Sequence, residues 1–478
     1  MQADIINNDK ARLALLTPYG GGNLGDGAIQ IAAMEGLRRH FPNAEFTGIT
    51  LNPAQISRLH GIPAFPITGL RVSFYSETLF EPTSGIFVKF AKQSKDRNIE
   101  THESSKEIEA PSEMQDTQGI WEKLKTLPIL GVTLLFLLRI TRRFFIILHE
   151  LHDLTTSYKF VKNLDAIIVS GGGQVDELWG GAWGHPYALL RWAVLSKLTG
   201  KQFIIISVGV GELNTKLGRF FTKTALSLAC YRSYRDLDSK ELLKAWAFTS
   251  SDPCVPDLAL GLMSKKSKAP EVSEKNGLVV GISPIAFGHE TSWPTPARDV
   301  YTRYVTTLAA FISQNILNQY KPVFFTSSST DRQVVNEILK QIELSSANFA
   351  SSTALPPPTI SSVIQLINTL NEVDIVIASR LHSVILSHTL RKPVVAISFD
   401  RKVDTHMRDM GQNEYILDIH NFSQQELLDK LNHLIANMTD IKKTLENNIT
   451  KAEVLIKSQY NQLALLINTK VKHKSLQI

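Results

Sequence analysis

Leu13-Ala14-Leu15-Leu16-Thr17 runs straight into Pro18-Tyr19-Gly20-Gly21-Gly22-Asn23-Leu24-Gly25-Asp26-Gly27. An unbroken apolar run of this length reads as a buried strand, and the glycine-rich stretch after it as a tight turn. From about Ala28 to Arg39, Ile29, Ala32, Ala33 and Leu37 recur on one side, which predicts a helix. Strand, glycine turn and helix in that order open an α/β unit.

The same grammar repeats downstream. Ala166–Ser170 precedes Gly171-Gly172-Gly173, and Phe203–Ser207 precedes Val208-Gly209-Val210-Gly211. Leu278–Ile282, Pro322–Thr326, Ile375–Ala378 and Val394–Ile397 are further apolar strands. Helical patterns such as Pro186–Thr199 and Asp299–Asn315 lie between them. Apolar strands alternating with helices mean parallel sheets covered on both faces. The polar, Lys-rich stretch Met263–Asn276 separates two such sets. We therefore expect an α/β fold of two Rossmann-like domains facing a cleft. The first spans residues 1–262, the second 277–455, and 456–478 forms a C-terminal helix and tail. In such folds ligands sit at the carboxyl ends of the strands.

Composition narrows the class. The 478 residues are 43% hydrophobic and 20% charged, which suits two packed domains rather than a disordered chain. The net charge of +6 suits an anionic ligand or membrane surface and does not mark a nucleic-acid binder. Two cysteines, Cys230 and Cys254, rule out a disulfide scaffold and a Cys-rich zinc site. No His/carboxylate cluster has metal-ligand spacing, so no metal is expected. The N-terminus lacks signal-peptide features, so a reducing cytoplasm is the expected compartment.

An insertion interrupts the first domain at about 70–160. It contains a polar stretch over Lys92–Gly119 and then the apolar Leu127–Leu138, followed by Arg139, Arg142, Arg143 and Phe144–Leu148. That apolar run falls short of the roughly 20 residues of a spanning helix. Two readings stand side by side. One is a buried or homo-oligomer-forming helix. The other is an interfacial helix over Leu127–Leu148, whose arginines meet lipid phosphates at the inner membrane face.

Several residues can carry chemistry. Asp26 stands at the start of the first helix, either simply as its cap or in a turn whose free N–H groups receive an anion. Gly25, Gly171, Gly172, Gly173, Gly209 and Gly211 allow the backbone to approach a ligand in the cleft. Trp179, Trp183 and His185 around Gly180-Gly181 either shape a sugar pocket or fill a core. Arg235 in Ser233-Tyr234-Arg235-Asp236 either holds an anion or pairs with Asp236 or Asp238. The most informative segment is Ser379-Arg380-Leu381-His382, which ends an apolar strand and opens a helix. A fixed cation and an imidazole at a positive helix end suit a small polyanion and proton transfer. His388 reads as structural. Lys402, in Asp400-Arg401-Lys402, adds a cation or solvates its loop.

Taken in order, Asn23-Leu24-Gly25-Asp26, the Gly171–Gly173 run, Gly209-Val210-Gly211, SYRD, Pro256-Asp257, SRLH and Ser398-Phe399-Asp400-Arg401-Lys402 resemble the polysaccharide pyruvyl transferase family. The resemblance covers about residues 11–70 and 160–420. It implies a GT-B-like pair of domains and transfer of pyruvate from phosphoenolpyruvate onto two hydroxyls of a sugar, with a ketal formed and phosphate released. It implies Arg235, Arg380, Leu381 and His382 as phosphoenolpyruvate-site residues, and no cofactor beyond that donor. The acceptor it implies is a glycan or lipid-linked oligosaccharide of a cell-surface polysaccharide. His382 and Asp26 are then the candidates for acid and base, in either order. The rival readings are a GT-B-type glycosyltransferase using a nucleotide sugar and a non-catalytic member that binds membrane or partner.

Overall fold

The computed structural model describes residues 10–68, 148, 150–178, 180–249, 251–262, 277–293, 295–345 and 360–475. Eleven strands form two wholly parallel sheets among these residues. The first sheet contains β1 (Arg12–Leu16), β2 (Glu45–Thr50), β3 (Ala64–Pro66), β4 (Ala166–Val175), β5 (Gln202–Val210) and β6 (Tyr231–Tyr234), in the order β3-β2-β1-β4-β5-β6. The second contains β7 (Val279–Ser283), β8 (Lys321–Phe324), β9 (Ile375–Ala378), β10 (Val394–Ser398) and β11 (Ile416–Asp418), in the order β11-β10-β9-β7-β8. Leu13, Ala14, Leu16 and all four residues of β9 are buried, as expected of strands covered by helices on both sides. The α/β two-domain reading holds.

Strand order fixes where a ligand can sit. The order reverses between β1 and β4 in the first sheet and between β7 and β9 in the second. Beyond the carboxyl ends of strands at such a reversal, the helices on either side diverge and leave a crevice. The turns after β1 and β8 meet directly there. Leu24 N donates to the Ser327 carbonyl at 2.8 Å and Ser329 N to that of Gly22 at 3.2 Å.

Two expected turns prove to be strand. β4 continues through Gly171–Gly173 to Val175, and β5 through Gly209 to Val210. Gly171 and Gly172 adopt φ of 65° and 76°, open to glycine but costly for other residues. The β4–β5 register then shifts between Gly173 and Val175. Such an irregularity re-aims the side chains beyond it.

One long helix, Met438–Ser475, crosses the boundary expected at 455. It returns to the first sheet. Gln202 Nε2 donates to the Leu466 carbonyl at 2.6 Å, and Gln459 Nε2 to Ser207 Oγ at 3.2 Å. Of the expected insertion, Leu127 to Phe144 lies outside the described residues. Its last part is described and forms a helix over 150–162. Among the described residues, no helix is long and apolar enough to cross a membrane.

That helix is tied to the helix His185–Leu198 by a buried charge. Arg191 donates to Asp153 Oδ2 at 2.6 Å, to Ser157 Oγ at 2.6 Å and to the Ile67 carbonyl at 3.2 Å, and pairs with Glu150 at 3.5 Å. Removing one partner of a buried pair strands the other. Arg191→Ala is therefore expected to destabilise the protein by about 3–5 kcal/mol, read by chemical denaturation, with Arg191→Met, which fills the same space, milder.

Candidate active site

The crevice gathers side chains from both sheets. From the first, Asn23 caps the helix Leu24–Arg38, its Oδ1 accepting from Gly25 N at 3.0 Å. The cap is thus Asn23, and Asp26 has another task. Its Oδ2 accepts from Asn23 Nδ2 at 2.7 Å, which fixes the carboxyl at the helix start. Burial pushes the Asp26 pKa up, with the charges of His382, Lys402 and Arg380 opposing and Asp257 reinforcing.

From the second sheet comes the segment after β9. Arg380 precedes the helix Leu381–Thr389, and its guanidinium grips Asp331 with two nitrogens, Nε on Oδ2 and Nη2 on Oδ1 at 2.8 Å. Asp331 is fully buried and also accepts from Ala286 N at 3.0 Å. It is a rigid anchor that aims the arginine. Nη2 also reaches Thr330 Oγ1 at 3.2 Å, while Nη1 has no hydrogen-bond partner among the described residues. Leu381 is buried and supplies the first turn.

His382 reaches across to the first domain. Its Nε2 lies 3.9 Å from Asp257 Oδ2, and Arg235 Nη1 lies 3.8 Å from the same oxygen. Asp257 is 2% exposed, and its other oxygen accepts from Ala259 N at 3.0 Å. Among the described residues, neither His382 Nε2 nor Asp257 Oδ2, both buried, has a hydrogen-bond partner. Buried polar atoms without a partner cost stability, and such atoms are kept where chemistry needs them. The ring fits only because of Gly25: a Cβ there would stand 2.2 Å from His382 Cγ. Gly25→Ala is therefore expected to push the imidazole aside and lower turnover by about 10²-fold, with the melting temperature moving far less. Steady-state kinetics beside a thermal melt check this.

Arg235 extends the cluster from β6. Its Nε donates to Asp236 Oδ2 at 3.1 Å, so the expected local pair exists, but it points into the crevice rather than to the surface. Asp238 pairs instead with Arg401 at 2.8 Å. A Cβ on Gly209 would meet Arg235 Nη2 at 2.7 Å, so glycine is what admits the guanidinium. Lys402 Nζ pairs with Asp400 at 2.9 Å and borders the same space.

Comparison with known proteins gives the family and the fold. The family model described as polysaccharide pyruvyl transferase matches residues 23–401. The chain belongs to this family. No curated protein matches it by sequence. Among solved structures it is similar to a putative UDP-N-acetylglucosamine 2-epimerase from Listeria monocytogenes. The TM-score is 0.50, with 10% identity over 95% of this chain and 98% of that one. S. aureus MnaA with UDP gives 0.49, 8%, 96% and 97%. Neisseria meningitidis UDP-GlcNAc 2-epimerase bound to UDP-GlcNAc gives 0.48, 10%, 95% and 99%. The first of these, at a TM-score of 0.50, speaks for the fold alone, a two-domain GT-B-like architecture, and not for a shared reaction.

In this transferase the sequence-predicted residues Gly25, Asp26, Arg235, Arg380, His382 and Lys402 converge on one crevice. Gly173, Gly209 and Gly211 border the cavity beside it, of about 630 Å³. An added Cβ on Gly172 would meet Ile29 Cδ1 at 3.2 Å and Asp26 Oδ1 at 3.8 Å, and one on Gly171 would meet Ile29 and Leu258 in the core. Gly181 lines the cavity, Trp183 packs on Tyr187 and Phe221, and Trp179 lies outside the described residues. His185 is buried, which lowers its pKa to about 3 and keeps it neutral. His388 is bonded by His406 at 3.0 Å and Gln412 at 2.6 Å, deep in the second domain.

Sequence reasoning assigned no role to Asp257, Asp331 or Asp176. In the sequence Pro256-Asp257 stands out only as a motif. Asp331 sits in a Ser-rich turn where an acidic residue looks like solvated loop, and only the fold brings it to Arg380.

Proposed function

We propose that this family member transfers pyruvate from phosphoenolpyruvate to two hydroxyls of a sugar in a cell-surface polysaccharide or its lipid-linked precursor. A cyclic ketal forms and phosphate leaves. The observation that carries this reading is the meeting of Arg235, from the first sheet, with His382, from the second, on the buried carboxylate of Asp257, with Arg380 two residues before His382 and anchored on Asp331. Phosphoenolpyruvate carries a carboxylate and a phosphate, and two arginines in fixed positions match two anionic groups. Asp331 holds the Arg380 fork in place before the donor arrives, so little freedom is lost on binding.

The chemistry asks for proton transfer as well as charge. Protonating the methylene carbon makes C2 electrophilic, and a sugar hydroxyl then attacks C2. A second hydroxyl displaces phosphate and closes the ketal. His382 and Asp26 flank the donor end and share the acid and base roles there. Asp257 Oδ2 lies 3.9 Å from His382 Nε2, beyond hydrogen-bond reach but close enough for its charge to act on the ring. The reading calls for no cofactor and no metal.

The test is direct. Surface polysaccharide from a strain lacking this gene is expected to lose the pyruvate ketal methyl signal in its proton NMR spectrum. Wild-type protein should restore the signal and Arg380→Ala should not. Unchanged ketal content in the deletion strain would overturn the reading.

A further inference from the structure

The cavity of about 630 Å³ beside the donor residues shares Arg235 with them and runs between the first and second domains. It is lined by carboxylates, most of them engaged. Glu177 accepts from Asn214 N at 2.9 Å, Thr215 N at 3.1 Å and Thr215 Oγ1. Asp236 accepts from Ser239 N and Oγ at 2.7 and 2.6 Å. Asp238 is held by Arg401 at 2.8 Å and by Thr405, and Asp400 by Lys402 at 2.9 Å.

Asp176 differs. Its one hydrogen bond among the described residues runs from Leu178 N to Oδ1 at 3.1 Å, which leaves Oδ2 without a partner. The register shift at the end of β4 lies immediately before it and turns this carboxyl toward the cavity, between Gly173 and Gly211. We propose that Asp176 is the base that takes the proton of an acceptor hydroxyl, and that the cavity it borders seats the acceptor sugar. This rests on the pyruvyl-transfer reading above.

The charges around it fit that task. Burial raises the Asp176 pKa to about 6, with the Leu178 N–H and Lys402 opposing and Asp26 and Glu177 reinforcing. A carboxylate in that range is ionised at neutral pH and yet a stronger base than an exposed one. The other charged residues that line the cavity are Glu177, Glu212, Arg235, Asp236, Asp238, Asp400, Arg401 and Lys402. A wall dominated by carboxylates favours a hydroxyl-rich sugar without its own negative charge.

The step balances. The hydroxyl oxygen attacks C2 and forms the C–O bond while its proton passes to Asp176. That proton leaves on the departing phosphate, whose bond to C2 breaks as the ketal closes. The second hydroxyl's proton accounts for the one gained by the methylene carbon.

The experiment uses purified full-length protein, phosphoenolpyruvate, and the ketal-free polysaccharide and lipid fraction extracted from the deletion strain as acceptor. Phosphate release is measured, with calorimetric titration of phosphoenolpyruvate alongside. Asp176→Asn is expected to bind phosphoenolpyruvate as wild type does and to release phosphate at least about 10²-fold more slowly. Phosphate release within about twofold of wild type would overturn the assignment of Asp176 alone. Lost phosphoenolpyruvate binding in Asp176→Asn would also overturn it, by placing Asp176 in the donor site. No release by wild type itself would overturn the pyruvyl-transfer reading instead.

Discussion

Replacing Arg380 with lysine is expected to raise the dissociation constant for phosphoenolpyruvate by about ten- to a hundred-fold, with little change in stability. The guanidinium spends Nε and Nη2 on Asp331 and keeps Nη1 for a ligand. Lysine retains the positive charge beside Asp331 but has no fork, so it cannot hold the anchor and the donor at once. A lost charge-assisted hydrogen bond is worth about 1.5–3 kcal/mol, which gives the expected range. Alanine should be worse for a second reason. It leaves Asp331, which is fully buried, as an uncompensated charge, so binding and stability fall together. Comparing lysine and alanine by calorimetric titration and thermal melting separates the ligand contact from the structural pair.

Truncating the chain after residue 455 is expected to unfold the first domain. The segment removed contains Tyr460, whose ring lies so close to Gly36 that a Cβ there would stand 2.3 Å from Tyr460 Cε2. It also contains Ile456, Leu463 and Ile467, all buried. Losing one buried side chain of this size costs about 2–5 kcal/mol, and the whole of a domain's stability is about 5–15 kcal/mol. Gln459 adds a polar reason. It bonds Ser207 and Ser233 in β5 and β6, and Ser207 is held at φ 48°, a left-handed conformation that a non-glycine residue adopts only when its surroundings insist. β5 carries Gly209 and β6 ends just before Arg235, so the helix supports the site as well as the core. Gln459→Ala alone should destabilise by about 1–3 kcal/mol. Circular dichroism melts of the truncated and substituted chains check both expectations.

Much of this was legible in the chain because long apolar strands and helical spacing are local signals. β9 falls on the residues expected, and the helix predicted over Pro186–Thr199 is displaced by one residue. β2, β3, β6 and β11 were not foreseen. They are short or mixed in polarity: β6, Tyr231–Tyr234, carries an arginine and a serine whose partners are Asp252 and Gln459, far away in sequence. The glycine runs looked like turns, since nothing local shows that a strand continues through positive φ. The same limit applies to the site. Arg380 and His382 announce themselves as a cation and an imidazole at a helix start. Their partners Asp331 and Asp257 lie 49 residues away and across the domain boundary respectively, and only the packed fold joins them.

The most direct test of the account is calorimetric titration of the purified protein with phosphoenolpyruvate, beside a parallel titration with UDP. Saturable binding of phosphoenolpyruvate, with none of UDP, is the predicted result, because Arg235 and Arg380 are placed for a small molecule with two anionic groups. Clear UDP binding with no response to phosphoenolpyruvate would contradict it, and would make the crevice a nucleotide-sugar site.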